Sequence, residues 1–384
     1  TASAAVRLGN KLFSMMERRR IVDLWKQGEA RVLTTLIRVE GSSYRRPGAR
    51  LLVADSGEYA GTISGGCLES EVVRKAIWKV RNGAVVERYS TLFDDTDEIP
   101  FGLGCGGVVD LLLEPVATPE CGALLDVMER SLAGERATVV TWLPGEGKAL
   151  RRVVLGLDGN VIFASEGLPE KKLNCARDLR PGQSYDGRFV EELRGPQRLF
   201  VLGAGDDAAP LVRMAALMGW HVTVADGRSQ LVRADRFPEA SSVAVLNADS
   251  IDPLQICSDD AVVVMTHSYE QDRALLAALI PLSPRYLGLL GARHRSSLLV
   301  SEVAERTGLS VETCCDRISA PVGLDLGGEG PEAIALAVIA EAQARCMGKL
   351  GAPRRLTPEN VARYLREGGG ERYLKRACSL DVVP

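Results

Sequence analysis

Residues 198–208 read Arg-Leu-Phe-Val-Leu-Gly-Ala-Gly-Asp-Asp-Ala, an apolar strand running into a glycine loop that opens a helix. Few runs of this length restrict a fold as tightly. Gly203 permits the sharp turn out of the strand, Gly205 leaves room for a phosphate to approach the backbone, and Ala208 takes the small third position. The helix is predicted over 208–218 and the next strand over 221–225, with Asp226 at its end, where an acid can hold ribose hydroxyls. Compact apolar runs at 243–246, 261–265 and 286–290 suit strands covered on both faces, and 272–279 has helical spacing. Strands and helices alternating in this way build a parallel sheet, so residues 196–347 are assigned to a Rossmann-like domain of an α/β protein.

What that loop binds is less tightly specified. Asp206 and Asp207 suit the positive end of a helix by roughly 0.3–1 kcal/mol, yet they repel an incoming pyrophosphate. Arg228, two residues past Asp226, either offsets them or reads another anionic group. Two readings stay open: a phosphate-bearing ligand such as NAD(P) or another nucleotide, or a Rossmann scaffold whose phosphate site is degenerate. Hydride transfer has less support, because no tyrosine is followed four positions later by lysine. His267 follows the 261–265 strand at the carboxyl edge, where open α/β sheets bind ligands; its alternative is a hydrogen-bonded structural histidine. Arg293 after the 286–290 strand could meet an anion, and Pro331 opens a second helix N-terminus.

The N-terminal half has a different texture. Strands are predicted at 31–39, 50–54, 58–63, 85–89 and 108–113, with a helix over 67–81. An amphipathic helix carrying Leu12, Phe13, Met16, Ile21 and Leu24 precedes them. From about 118 to 195 a helix at 122–132, a strand at 138–143 and a hairpin over 153–164 read as an extension of the same domain, 1–195, with 348–384 as a tail. Two cysteines stand in glycine settings. Cys67 follows Gly65 and Gly66 at a predicted helix start, where exposed N–H groups lower a thiol's pKa. Cys105 lies between Gly104 and Gly106, with Gly102 and Gly107 beyond, which implies unusual dihedrals or a ligand against the backbone. On the residues alone these thiols are balanced between packing roles and soft ligands for sulfur transfer or a transition metal.

Composition narrows the classes. The 47 basic and 50 acidic residues leave a net charge of −3 and a pI near 5.9, which argues against broad nucleic-acid binding. No run approaches the ~18–20 apolar residues of a membrane span. Nine cysteines without paired spacing suit a reducing, cytoplasmic setting, and three scattered histidines make a His-rich metal site a poor expectation.

Taken in order, several segments resemble the XdhC/CoxI family, the accessory proteins of xanthine dehydrogenase and related molybdenum hydroxylases. They are Gly41-Ser42-Ser43 with Arg46-Pro47-Gly48-Ala49-Arg50, Gly61-Thr62-Ile63-Ser64-Gly65-Gly66-Cys67-Leu68-Glu69, and Gly102-Leu103-Gly104-Cys105-Gly106-Gly107. Further on come Leu202-Gly203-Ala204-Gly205, Val224-Ala225-Asp226-Gly227-Arg228, Thr266-His267, Gly288-Leu289-Leu290-Gly291 and Pro321-Val322-Gly323-Leu324-Asp325. The resemblance implies an N-terminal mixed α/β domain carrying the cysteine motifs and a C-terminal Rossmann domain. It implies a dimeric protein that binds sulfurated molybdenum cofactor (molybdopterin), with Cys67 and Cys105 near the molybdenum. The client is then a xanthine dehydrogenase-type hydroxylase, with a cysteine desulfurase as a further partner. Many family members carry histidine where this chain has Asp206. A nicotinamide-dependent oxidoreductase using Gly203, Gly205 and Asp226 is the alternative, and an interaction scaffold with an empty Rossmann domain is the third reading.

Overall fold

In a computed structural model of the chain, the described residues are 15–41, 43–66, 68–90, 108–145, 147–179, 181, 184–185, 187–246, 251–349, 357–364 and 366. The chain divides into two compact units. The first holds Glu17–Gly195 with Pro353–Pro384, the second Pro196–Ala352 with Thr1–Met16.

Two antiparallel sheets make the first unit. After α1 (Met15–Lys26), β1 (Ala30–Glu40), β2 (Arg50–Ala54), β3 (Tyr59–Gly61), β4 (Val85–Ser90) and β5 (Val108–Pro115) join in the order β3-β2-β1-β5-β4, with α2 (Glu69–Lys79) inserted before β4. The region from 118 then builds a sheet of its own within the same unit. There α3 (Pro119–Leu132), β6 (Ala137–Trp142), β7 (Arg151–Gly156), β8 (Val161–Ala164), α4 (Glu170–Asp178), β9 (Ser184–Tyr185) and β10 (Arg188–Leu193) follow, with strand order β8-β7-β6-β10-β9. Ile21 and Leu24 of α1, Leu33, Leu52, Leu125 and Met128 of the first sheet and α3, and Val139 and Val154 of the second sheet share one core. Met16, expected on the buried stripe of the first helix, is exposed instead. At ~100° per residue it lies about 140° around the helix from Ile21. Leu12 and Phe13 lie outside the described residues.

Two buried ion pairs tie strands of the first sheet to strands of the second. Glu114 of β5 meets Arg152 of β7 bidentately at 2.9 and 3.1 Å, and Arg50 of β2 meets Glu191 of β10. Arg152 also donates to Thr141 Oγ1 at 3.1 Å and to the Glu120 carbonyl at 2.6 Å. Such pairs repay their desolvation only when every donor finds a partner. Arg18 of α1, also buried, donates to Ser131 Oγ and the Arg194 carbonyl, both at 2.7 Å. Burial, with Arg50 nearby, lowers its pKa to about 10 against the opposing pull of Glu191.

The second unit is a parallel sheet. Its elements are β11 (Arg198–Leu202), α5 (Ala208–Leu217), β12 (His221–Asp226), β13 (Ser242–Val245), β14 (Ala261–Val264), α6 (Tyr269–Leu279), β15 (Tyr286–Leu289), α7 (Arg293–Thr307), α8 (Val311–Arg317) and α9 (Pro331–Cys346). A short α10 (Pro358–Tyr364) follows. The strand order is β13-β12-β11-β14-β15. Leu199 and Val201 of β11 pack with α5 and α9 on one face. Phe200 and Leu202 pack with α6 and α7 on the other. Period-2 alternation with both sets apolar is what a sheet covered on both faces requires. The result is the doubly wound Rossmann architecture.

Breaking the Glu114–Arg152 pair should be felt across both sheets of the first unit. Glu114→Ala is expected to destabilise it by about 3–5 kcal/mol, because Arg152 is left buried without its partner. The double variant Glu114→Leu/Arg152→Met should recover most of that loss. Hydrogen exchange of the β5 and β7 amides checks both.

Candidate functional site

The order of the parallel sheet reverses between β11 and β14, the switch point outside whose carboxyl ends doubly wound sheets hold their ligand crevice. Into it come the glycine loop after β11, Asp226-Gly227-Arg228 after β12 and Thr266-His267 after β14. The turn at Gly203 has φ +129°, and a Cβ there would overlap the carbonyl oxygen of Met265. Only glycine lets the loop pass so close to the end of β14.

Asp226 is wholly buried. Its Oδ2 accepts from the Ala204 N–H and from Arg228 Nη2, both at 2.7 Å. Its Oδ1 accepts from Arg228 N at 2.8 Å and Arg228 Nε at 2.9 Å. A carboxylate offers about four lone-pair sites, and here all of them are used. Asp226, expected to meet ribose hydroxyls, here uses these bonds to clamp the glycine loop to the end of β12. Burial by itself would raise its pKa; the bonds from Arg228 and Ala204 outweigh that and hold it below the ordinary carboxylate range.

The remaining polar groups are paired in a similar way. Asp206 takes Arg236 at 2.7 Å, and Arg236 also donates to the Ala204 carbonyl at 2.8 Å. Asp207 Oδ2 accepts from His267 Nε2 at 2.9 Å. His267 sits at φ +63°, a strained conformation for a non-glycine residue and one that concentrates at functional positions. Behind it Asp272, buried, accepts from Thr266 Oγ1 and from Arg295 Nη2, both at 2.6 Å. Asp272, Arg295 and Arg236 were not singled out from the sequence; only the helical spacing that begins at Asp272 was legible, since their partners lie far along the chain. Arg293, noted as an anion contact, opens α7 and is exposed.

Thus Gly203, Gly205, Asp226, Arg228 and His267 converge at one place. Gly65 and Gly66 belong to the first unit. There Glu69 Oε1 accepts from the N–H groups of Ile63 and Ser64 at 3.0 and 2.8 Å, and Oε2 accepts from the Ser64 hydroxyl. Ser64 Oγ in turn accepts from the Leu68 N–H at 3.0 Å. The loop before α2 is thereby closed on itself. The helix expected from 67 begins at Glu69, because these bonds hold the preceding residues in a turn. Burial would raise the Glu69 pKa, and the hydrogen bonds from Ser64 and Ile63 bring it below its ordinary value. Cys67, Gly104, Cys105 and Gly106 lie outside the described residues.

Three buried thiols are poor donors. Burial pushes Cys121 far up, Cys346 to about 11 and Cys314 upward, so each stays a protonated thiol at neutral pH. Among the described residues no group of three or more metal-ligating side chains comes together, and no helix is long and apolar enough to cross a membrane.

Similarity to known proteins agrees with this division. A family model described as the XdhC Rossmann domain matches residues 199–342, and one described as the XdhC and CoxI family matches residues 24–90. A Bacillus subtilis protein named as a probable subunit of xanthine dehydrogenase is 28% identical over 332 residues, covering 83% of this chain and 94% of its own. The Escherichia coli protein named molybdenum cofactor insertion chaperone PaoD is 26% identical over 321 residues, covering 83% and 85%. A crystal structure titled as a xanthine dehydrogenase from Bacillus halodurans superposes with a TM-score of 0.72 at 27% identity, covering 90% of this chain and 99% of that one.

Two outcomes follow from the clamp. Gly203→Ala should destabilise the second unit by roughly 2–4 kcal/mol, from the positive φ and the backbone overlap combined. As for pH, a depressed carboxyl contributes stability that is present above its unfolded pKa, about 4, and is lost as pH falls through its folded value. Amide exchange of residues 199–205 should therefore accelerate below about pH 4, and Asp226→Asn should flatten that acid limb.

Proposed function

The chain belongs to the XdhC and CoxI family, and from that premise we propose that it binds molybdenum cofactor and inserts it into a xanthine dehydrogenase-type molybdenum hydroxylase. The observation that carries this reading is the end-to-end similarity to a relative named as a molybdenum cofactor insertion chaperone. The cofactor is cargo here. Cys67 and Cys105 are the thiols assigned to the neighbourhood of its molybdenum, with Gly65, Gly66, Gly104 and Gly106 letting the cargo approach the backbone. Cys121, Cys314 and Cys346, whose thiols burial keeps protonated, are poorer candidates, because a soft metal takes a thiolate rather than a thiol. In the second unit Gly203, Gly205, Arg228 and His267 are the residues assigned to a phosphate-bearing group. The chain acts as a cytoplasmic homodimer, with a cysteine desulfurase supplying sulfur. The saturated Asp226 carboxylate counts against the nicotinamide alternative, which needs that acid for ribose.

The test is anaerobic incubation with molybdenum cofactor, then desalting and assay of molybdenum and pterin in the protein fraction. Near-stoichiometric retention is expected, with Cys67→Ala and Cys105→Ala retaining little and Cys315→Ala, on an exposed thiol, retaining as much as the parent. Folded protein that retains none would overturn the reading.

A further inference from the structure

Gly205 has no side chain, and in a phosphate-binding loop the space this leaves is where the ligand's phosphate comes against the backbone. This chain fills that space itself. A Cβ built on Gly205 would lie 2.6 Å from Asp207 Oδ1 and 3.7 Å from His267 Nε2. Asp207 is the residue that precedes α5, yet its side chain makes no capping bond to the helix. It turns back over the loop instead, with Oδ2 held by His267 at 2.9 Å. Its Oδ1 is buried and has no hydrogen-bond partner among the described residues. A buried carboxylate oxygen without a donor is an unfavourable arrangement, and the His267 that holds it in place carries a left-handed backbone at φ +63°. Asp206, the neighbouring acid, differs in every respect. It is fully exposed and pairs with Arg236.

We infer that Asp207 is an internal occupant of the phosphate cradle, latched there by His267, and that its charge sets the affinity of the second unit for pyrophosphate-bearing ligands. A negative group already sits where the ligand's negative group must go. A nucleoside diphosphate enters only by displacing Asp207, after which His267 is released to face the phosphate. The inference concerns this loop alone and stands whether or not the cargo of the chain is molybdenum cofactor.

ADP is the probe, its binding followed by phosphorus NMR and calorimetry on the full chain and on four variants whose folding is checked by thermal melting. Asp207→Asn keeps the shape of the side chain and removes the charge; it should bind ADP about tenfold more tightly than the parent or better. Asp206→Asn removes the same charge one residue away and should change the affinity by less than about threefold. Asp207→Ser should repeat the Asp207→Asn gain, and Asp207→Asn/His267→Ala should lose it. Equal gains from Asp206→Asn and Asp207→Asn would reduce the effect to surface charge and overturn the inference. So would the absence of any gain at Asp207, or no binding by any variant.

Discussion

The four hydrogen bonds on the Asp226 carboxylate hold the second unit's binding edge together. They join the amide of Ala204 in the glycine loop to the end of β12 and to the main chain and guanidinium of Arg228. Because the carboxylate is wholly buried, each of those bonds is worth more than it would be in water, and losing any one would leave a charged group short of partners. The loop is therefore rigid for a stated reason. Asp207 over Gly205 takes its position from a loop that Asp226 fixes, and His267 meets it from the end of β14.

The first unit uses charge for a different purpose. Glu114–Arg152 and Arg50–Glu191 each link a strand of one sheet to a strand of the other. Hydrophobic contacts alone would let two sheets slide, since apolar attraction has no direction. A guanidinium–carboxylate pair has direction, most of all the bidentate Glu114–Arg152 pair, so these pairs set the registration of the layers. The Ser64–Glu69 ring does the same on a smaller scale for the loop that leads through Gly65 and Gly66 into α2.

Much of the parallel sheet was legible because strands buried on both faces show as unbroken apolar runs, as at 199–202 and 261–265, whereas the run at 243–246, expected to be covered likewise, forms an exposed edge strand. The glycine loop was legible because its turn and its close passage against Met265 admit no side chain at Gly203. Asp226 was legible at the end of its strand, while its bonds to Ala204 and Arg228 came only with the structure. A sequence shows an acid at the end of a strand but not whether that acid faces the crevice or the loop. Asp207 and His267 were each noted, yet nothing in their separation of 60 positions joins them. The region after 118 was read as an extension of the first domain; that its strands pair into a sheet of their own within that unit depends on which edges meet.

What the sequence determined by itself was local: the strand–glycine–helix run, the alternation of elements that makes a doubly wound sheet, and the set of motifs shared with the XdhC and CoxI family. Each rests on interactions within a few residues, where spacing alone dictates which side chains share a face. The tertiary structure decided the partners of the charged groups. Arg152 and Glu114, Asp226 and Ala204, and His267 and Asp207 meet only once separate strands are laid side by side. A buried charge takes whichever opposite charge or N–H the packing brings within about 3 Å, and no pattern along the chain encodes that distance.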